Sequence, residues 1–110
     1  MKMQKIVYGG FRLSIDEEGR EIAHAYLYLI RNDLHEQPYG LMEDVFVGEG
    51  YRGSGIGTKI IEALIQKAKE EKCYKLIGTS RKENKRVHVL YKKIGFQEWG
   101  REFRMDILYH

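Results

Sequence analysis

Hydrophobic positions along the chain change their period several times, and each change marks an element. Residues 5–15 alternate, with Val7, Phe11, Leu13 and Ile15 on one face, the period-two pattern of a strand. Asp16-Glu17-Glu18-Gly19 is polar and ends in glycine, which predicts a hairpin into a second strand over 21–31. There Ala23, Ala25, Leu27 and Leu29 form one face and His24, Tyr26 and Tyr28 the other. Both faces are fairly apolar, as in a central strand. Residues 32–40 read as a connector holding the only proline, Pro38. An apolar run of strand length follows at 41–47, then Gly-Glu-Gly-Tyr-Arg-Gly-Ser-Gly-Ile-Gly at 48–57. Apolar residues then recur at Ile56, Ile60, Ile61, Leu64, Ile65 and Ala68. That is the spacing of one helix face, and it predicts a helix from about 55 to 71.

Residues 73–80 predict the next strand. A strand after that helix implies a crossover and parallel pairing with 41–47. A second helix over 84–94 carries Val87, Leu90, Tyr91 and Ile94 on its core stripe. Gly95 is then the C′ residue, free to take positive φ. Phe96–Trp99 and Phe103–Leu108 read as two more strands around a turn at Gly100-Arg101. The sum is an α/β (α+β) fold in one domain over 1–110, with a mixed sheet of about six or seven strands and two principal helices.

Composition narrows the class. At 110 residues the chain suits a single core near the lower end of domain size. No apolar run approaches a membrane span and no signal-like segment opens the sequence, so a cytoplasmic location is expected. The lone Cys73 cannot form an internal disulfide, in keeping with a reducing compartment. A net charge of +3 suits an anionic ligand without demanding nucleic acid. Arg81, Lys82, Lys85, Arg86, Lys92 and Lys93 gather around the second helix, either as a solvated face or as partners for phosphates.

Candidate chemistry begins where the third strand runs through the glycine turn into the first helix. A helix N-terminus carries N–H groups without carbonyl partners and about half a positive charge. Gly53, Gly55 and Gly57 lack the Cβ atoms that would hold an anion away from those donors. Arg52 adds a cation, and Ser54 and Thr58 add hydroxyl donors. A phosphate or pyrophosphate is the expected ligand; a turn that merely joins strand to helix is the alternative. Glycines at alternate positions do not make Gly-x-Gly-x-x-Gly, and Gly57-Thr58-Lys59 does not make the Walker Gly-Lys-Ser/Thr.

What does fit is Arg-x-x-Gly-x-Gly, filled by Arg52, Gly55 and Gly57. This resembles the pyrophosphate loop of the GNAT N-acetyltransferase superfamily. Downstream, Asn84, Tyr91 and Gly95-Phe96 resemble that family's asparagine, tyrosine and helix-ending Gly-Phe. The resemblance covers about residues 20–108 and implies a mostly antiparallel twisted sheet, with acetyl-CoA as co-substrate and no metal. By the same resemblance, Arg52, Gly53, Ser54, Gly55, Ile56, Gly57 and Thr58 hold the pyrophosphate. Backbone at Val45 and Val47 pairs with the pantetheine amides, and Asn84 and Tyr91 face the cofactor arm. Against the family pattern the sequence reads as a short form that starts near the second strand, without the usual N-terminal strand and helices. The acceptor side is then open or completed by a second copy, which makes a homodimer compatible with the reading.

The reaction implied is attack of a primary amine, of a small molecule or peptide, on the acetyl thioester. Such an amine, with a pKa of about 10.4, is mostly protonated at neutral pH and needs a base. Glu43-Asp44 resembles the Glu-Asp pair of polyamine and glucosamine-6-phosphate acetyltransferases. Adjacent strand residues point to opposite faces, so only one is expected at the thioester; Glu43 is the candidate base and Asp44 the alternative. Tyr91 is the candidate acid for the leaving thiolate, and a backbone N–H near Val45 the oxyanion donor. Structural roles stand beside these: a carboxylate bonded to backbone or a cation for Glu43, core packing for Tyr91. Tyr26, Tyr28 and Tyr39 line an acceptor pocket or are simply sheet face. His88 shares a helix flank with Asn84 and Tyr91, as a catalytic group or a packed one. His24 and His35 have no partners at metal-ligand spacing. The rival function is a catalytically silent acyl-CoA-binding sensor or interaction module; neither reading calls for nucleic acid or membrane as partner.

Overall fold

The computed structural model describes residues 1–108, which divide between two compact units, Met1–Gly78 and the stretch from Thr79 onward. Residues 109 and 110, part of the expected 1–110 domain, lie outside the described residues.

The first unit holds strands β1 (Gly10–Glu17), β2 (Arg20–Ile30), β3 (Tyr39–Val47) and β4 (Leu76–Gly78), with helix α1 (Ile56–Glu70) between β3 and β4. Sheet order is β1-β2-β3-β4. The first two pairings are antiparallel, and β3 pairs β4 in parallel through the α1 crossover, as the element order requires. Glu18 (φ 51) and Gly19 (φ 77) form the tip of the β1–β2 hairpin. Two positive φ values in a two-residue loop match the twist of the flanking strands. β1 begins at Gly10 rather than at residue 5. Gly10 already stands opposite Tyr28, near the end of β2, so earlier residues have almost no partner strand left. Val7, expected on the apolar face, is 92% exposed.

Ile22, Ala23, Ala25 and Leu27 of β2, Met42 of β3, and Ile60, Ile61, Leu64 and Ala68 of α1 form the buried core. Ile56 and Ile65 sit half-buried at the margins of the helix stripe. Each large side chain among them contributes about 1.5–3 kcal/mol by leaving water. β4 is three residues long instead of the expected 73–80, because it pairs only with Gly40–Met42. At Gly40 a Cβ would stand 2.9 Å from both Leu27 Cδ1 and Leu76 Cδ1. Gly40→Ala therefore overpacks the core and is expected to cost about 1–3 kcal/mol. A thermal unfolding midpoint unchanged from wild type would contradict that reading.

The second unit carries helix α2 (Lys85–Ile94). Asn84 caps its start, its side-chain oxygen accepting from the Val87 N–H at 3.3 Å. Gly95 (φ 130) ends it, with its N–H and that of Phe96 both donating to the Tyr91 carbonyl. The two strands expected over 96–99 and 103–108 do not form; the described residues contain four strands, not six or seven. Trp99 and Phe103 are 91% and 92% exposed. Alternation in this stretch tells its two faces apart, but a strand also needs a neighbouring edge to bond.

Candidate active site

The end of β3 is shaped by a bulge. Tyr26 stands opposite Glu43 and His24 opposite Phe46, so Asp44 and Val45 together face the single residue Ala25. Asp44 takes φ 48, a left-handed conformation that aspartate tolerates better than most residues. The extra residue breaks strand alternation. Glu43 shares the outer row of the sheet with Tyr26, while Asp44 Oδ2 reaches His24 Nε2 at 3.0 Å in that same row. The expectation that Glu43 and Asp44 point to opposite faces fails for this reason. Asp44 is tied to His24, whereas Glu43 is half-buried and makes no hydrogen bond or ion pair with any described residue. Of the two carboxylates, only Glu43 has its acceptor oxygens uncommitted.

Past Met42, β3 has a strand on one edge only, because β4 stops at Gly78. Gly48 N–H donates to Ile22 O at 2.7 Å, which with Ala23 opposite Val47 turns the Val47 N–H and C=O away from β2. Alternation turns the Val45 backbone the same way. An open edge of backbone donors and acceptors thus runs along Val45 and Val47, and Arg52 Nε donates to Val47 O at 3.1 Å at its end.

The loop that follows makes one turn of 3₁₀ helix at Glu49–Tyr51 and then uses positive φ at Gly53 (80) and Gly55 (86). Gly55 is the N-cap of α1, and no side chain caps that end. Lys59 N–H donates to Gly55 O at 3.0 Å, so the N–H groups of Ile56, Gly57 and Thr58 precede the first intrahelical donor. A Cβ at Gly57 would meet only Val47 Cγ2, at 3.7 Å. That is ordinary contact, so packing does not require glycine there. Arg52 lies across the Phe46 ring, its guanidinium carbon 6.0 Å from the centroid. Ser54, expected to offer its hydroxyl to a ligand, donates it to the Tyr51 carbonyl instead. The Thr58 hydroxyl has no partner among the described residues.

Sequence reasoning missed a polar row on the outer face of the sheet. Arg12 holds Glu21 through two bonds of 2.6 and 2.8 Å, and Glu21 Oε2 lies 3.3 Å from His24 Nδ1. The Arg12 bond holds the Glu21 carboxyl at about 2, well below the usual carboxylate range. Tyr26 and Tyr28 stack in the same row, with centroids 5.9 Å apart and planes 5° from parallel. Tyr39 is drawn aside to Tyr74, edge-on at 6.2 Å. His35 packs on Tyr74 as well.

In the second unit, Tyr91 is half-buried on α2, its ring 5.4 Å from that of Phe96. The Asn84 side-chain oxygen serves the helix cap, which leaves its amide nitrogen as the donor end. His88 Nε2 lies 2.9 Å from the Arg81 carbonyl, a bond that ties the helix to the turn before it.

Residues 5–96 match the family described as Acetyltransferase (GNAT) family. A probable glucosamine 6-phosphate N-acetyltransferase 2 of Oryza sativa subsp. japonica is 36% identical over 84 residues, 76% of this chain and 49% of that protein. A thialysine N-epsilon-acetyltransferase of Bos taurus is 40% identical over 57 residues, 52% of this chain and 34% of that protein. The chain thus spans about half the length of these curated relatives, or less. The crystal structure of glucosamine-6-phosphate N-acetyltransferase from Arabidopsis thaliana superposes with a TM-score of 0.75 at 29% identity, covering 90% of this chain and 66% of that one.

Proposed function

The chain belongs to the GNAT acetyltransferase family, and from that membership we propose that it transfers an acetyl group from acetyl-CoA to a primary amine of a small molecule or peptide. Under this reading residues 1–110 act as one acetyltransferase domain. The observation that carries it is the uncapped N-terminus of α1, entered through Gly53 and Gly55 and flanked by Arg52 and the open edge of β3. The pyrophosphate takes the N–H groups from Gly53 to Thr58, with the Arg52 guanidinium and the Thr58 hydroxyl beside it. Gly57 fits this ligand, because the glycine serves access rather than packing. The pantetheine amides pair with Val45 and Val47 as an added strand would. Asn84 holds the cofactor arm through its amide nitrogen.

Acetyl-CoA supplies the activated acyl group; this chain supplies the proton transfers and the charge stabilisation. Glu43, uncommitted and half-buried, takes the proton from the acceptor amine. A backbone N–H at the bulge near Val45 meets the charge that develops on the thioester oxygen. Tyr91 returns a proton to the departing sulfur. Both curated relatives are named as N-acetyltransferases, which supports an amine acceptor.

The test is amine-dependent release of free coenzyme A, with the acetylated product identified by mass. An amino sugar phosphate, a diamine and a lysine peptide serve as acceptors. Release with at least one of them is expected; bound acetyl-CoA with no amine-dependent release across the panel would overturn the proposal. Tyr91→Phe is expected to lower kcat about a hundredfold and leave acetyl-CoA affinity nearly unchanged. Wild-type kcat in that variant would remove Tyr91 as the acid.

A further inference from the structure

We propose that His24 is a positioning residue for acetyl transfer, a clasp that joins three strands and holds the β3 bulge in the shape that presents Glu43. This rests on the acetyltransferase reading above. Three observations converge on it. His24 lies on the central strand, its side chain 18% exposed and stacked on Phe46 with ring centroids 5.3 Å apart. Its two ring nitrogens reach carboxylates on either side, Glu21 Oε2 at 3.3 Å and Asp44 Oδ2 at 3.0 Å. Glu21 is itself gripped by Arg12 of β1 through a bidentate pair.

The chain of contacts therefore runs Arg12, Glu21, His24, Asp44, from β1 across β2 to the bulge of β3. Its last member is the one β3 residue with positive φ. A non-glycine residue in that region persists only when its surroundings hold it there. The backbone of Asp44 connects Glu43 directly to Val45, so whatever fixes Asp44 fixes the direction of the candidate base and of the N–H beside it. A base displaced by about 1 Å loses on the order of a hundredfold in rate. His24 touches neither substrate nor cofactor in this account. It acts through Asp44.

His24→Phe keeps an aromatic ring for the Phe46 stack but removes both ring-nitrogen contacts. Asp44→Gly keeps positive φ accessible but removes the anchor, so it tests the clasp even where the first variant fails to fold. Each is expected to lower kcat about tenfold or more, while the Kd for acetyl-CoA measured by calorimetry stays within about twofold of wild type. The double variant is expected to be no slower than the slower single, because both changes cut the same link. Wild-type kcat in either folded single variant, losses that multiply in the double, or a parallel loss of acetyl-CoA affinity would overturn the clasp. A wild-type protein that transfers no acetyl group would instead overturn the reading beneath it.

Discussion

Glu43→Gln lowers turnover with an amine acceptor by about 100- to 1,000-fold while acetyl-CoA binds with nearly unchanged affinity. Glutamine keeps the volume and the hydrogen-bonding shape of the side chain but cannot take a proton at this pH. The native carboxylate has no competing partner among the described residues, so the substitution removes no structural bond and the fold stays intact. Rising pH separates this effect from a loss of binding. Below its pKa of about 10.4, an acceptor amine becomes about tenfold more deprotonated with each unit of rising pH. The Gln variant depends on that free-amine fraction and recovers steeply as pH rises. The wild type, with its own base, gains less. If kcat in the variant equals wild type at neutral pH, Glu43 is not the base. Asp44, engaged by His24 at 3.0 Å, is then the next carboxylate to test.

Gly57→Ala has effects of opposite sign on fold and ligand. Alanine in place of glycine inside a helix stabilises by up to about 1 kcal/mol, and the added methyl meets only Val47 Cγ2 at 3.7 Å. The folded domain is therefore expected to be as stable as wild type or more so. Acetyl-CoA affinity, in contrast, falls about 10- to 100-fold, equal to about 1.4–2.8 kcal/mol, because the methyl intrudes where backbone N–H groups meet the pyrophosphate. Gly55→Ala makes the contrast: at φ 86 the new side chain strains the N-cap, so stability and affinity fall together. Thermal unfolding and calorimetry on both variants read these pairs of signs. A Gly57→Ala protein with wild-type affinity would mean that the anion lies elsewhere.

Where local chemistry decided the structure, the sequence was readable. The hairpin tip at Glu18-Gly19, the stripe Ile60, Ile61, Leu64 and Ala68, and the Gly95 terminus each follow from residue type and period. The parallel pairing of β3 with β4 follows from the helix between them. What escaped was set by partners distant in sequence. The sequence of 103–108 reads as a strand, yet no described edge bonds it. Val7 was lost from its face because β2 ends too soon to accompany it. At the site, alternation separated Glu43 from Asp44, and one inserted residue brought both to the outer row. Only the tolerance of aspartate for positive φ hints at the bulge, and that hint is too general to place it. The Arg12, Glu21 and His24 contacts depend on a second bulge, where the β1–β2 register shifts between Ile15 and Asp16. The hairpin alone would have set Arg12 opposite Ala25; the shift sets it opposite Tyr26. Ser54 has the residue type of a ligand donor, but its hydroxyl donates to the Tyr51 carbonyl, a partner that residue type alone does not reveal.

The central claim is that backbone N–H groups around the start of α1 hold the pyrophosphate of acetyl-CoA. Titration of ¹⁵N-labelled protein with acetyl-CoA, followed residue by residue through the amide resonances, tests it most directly. The account predicts saturable binding below about 1 mM with the largest shifts at Gly53–Thr58, Val45 and Val47. No binding at millimolar concentration, or shifts that leave Gly53–Thr58 unmoved, would contradict it.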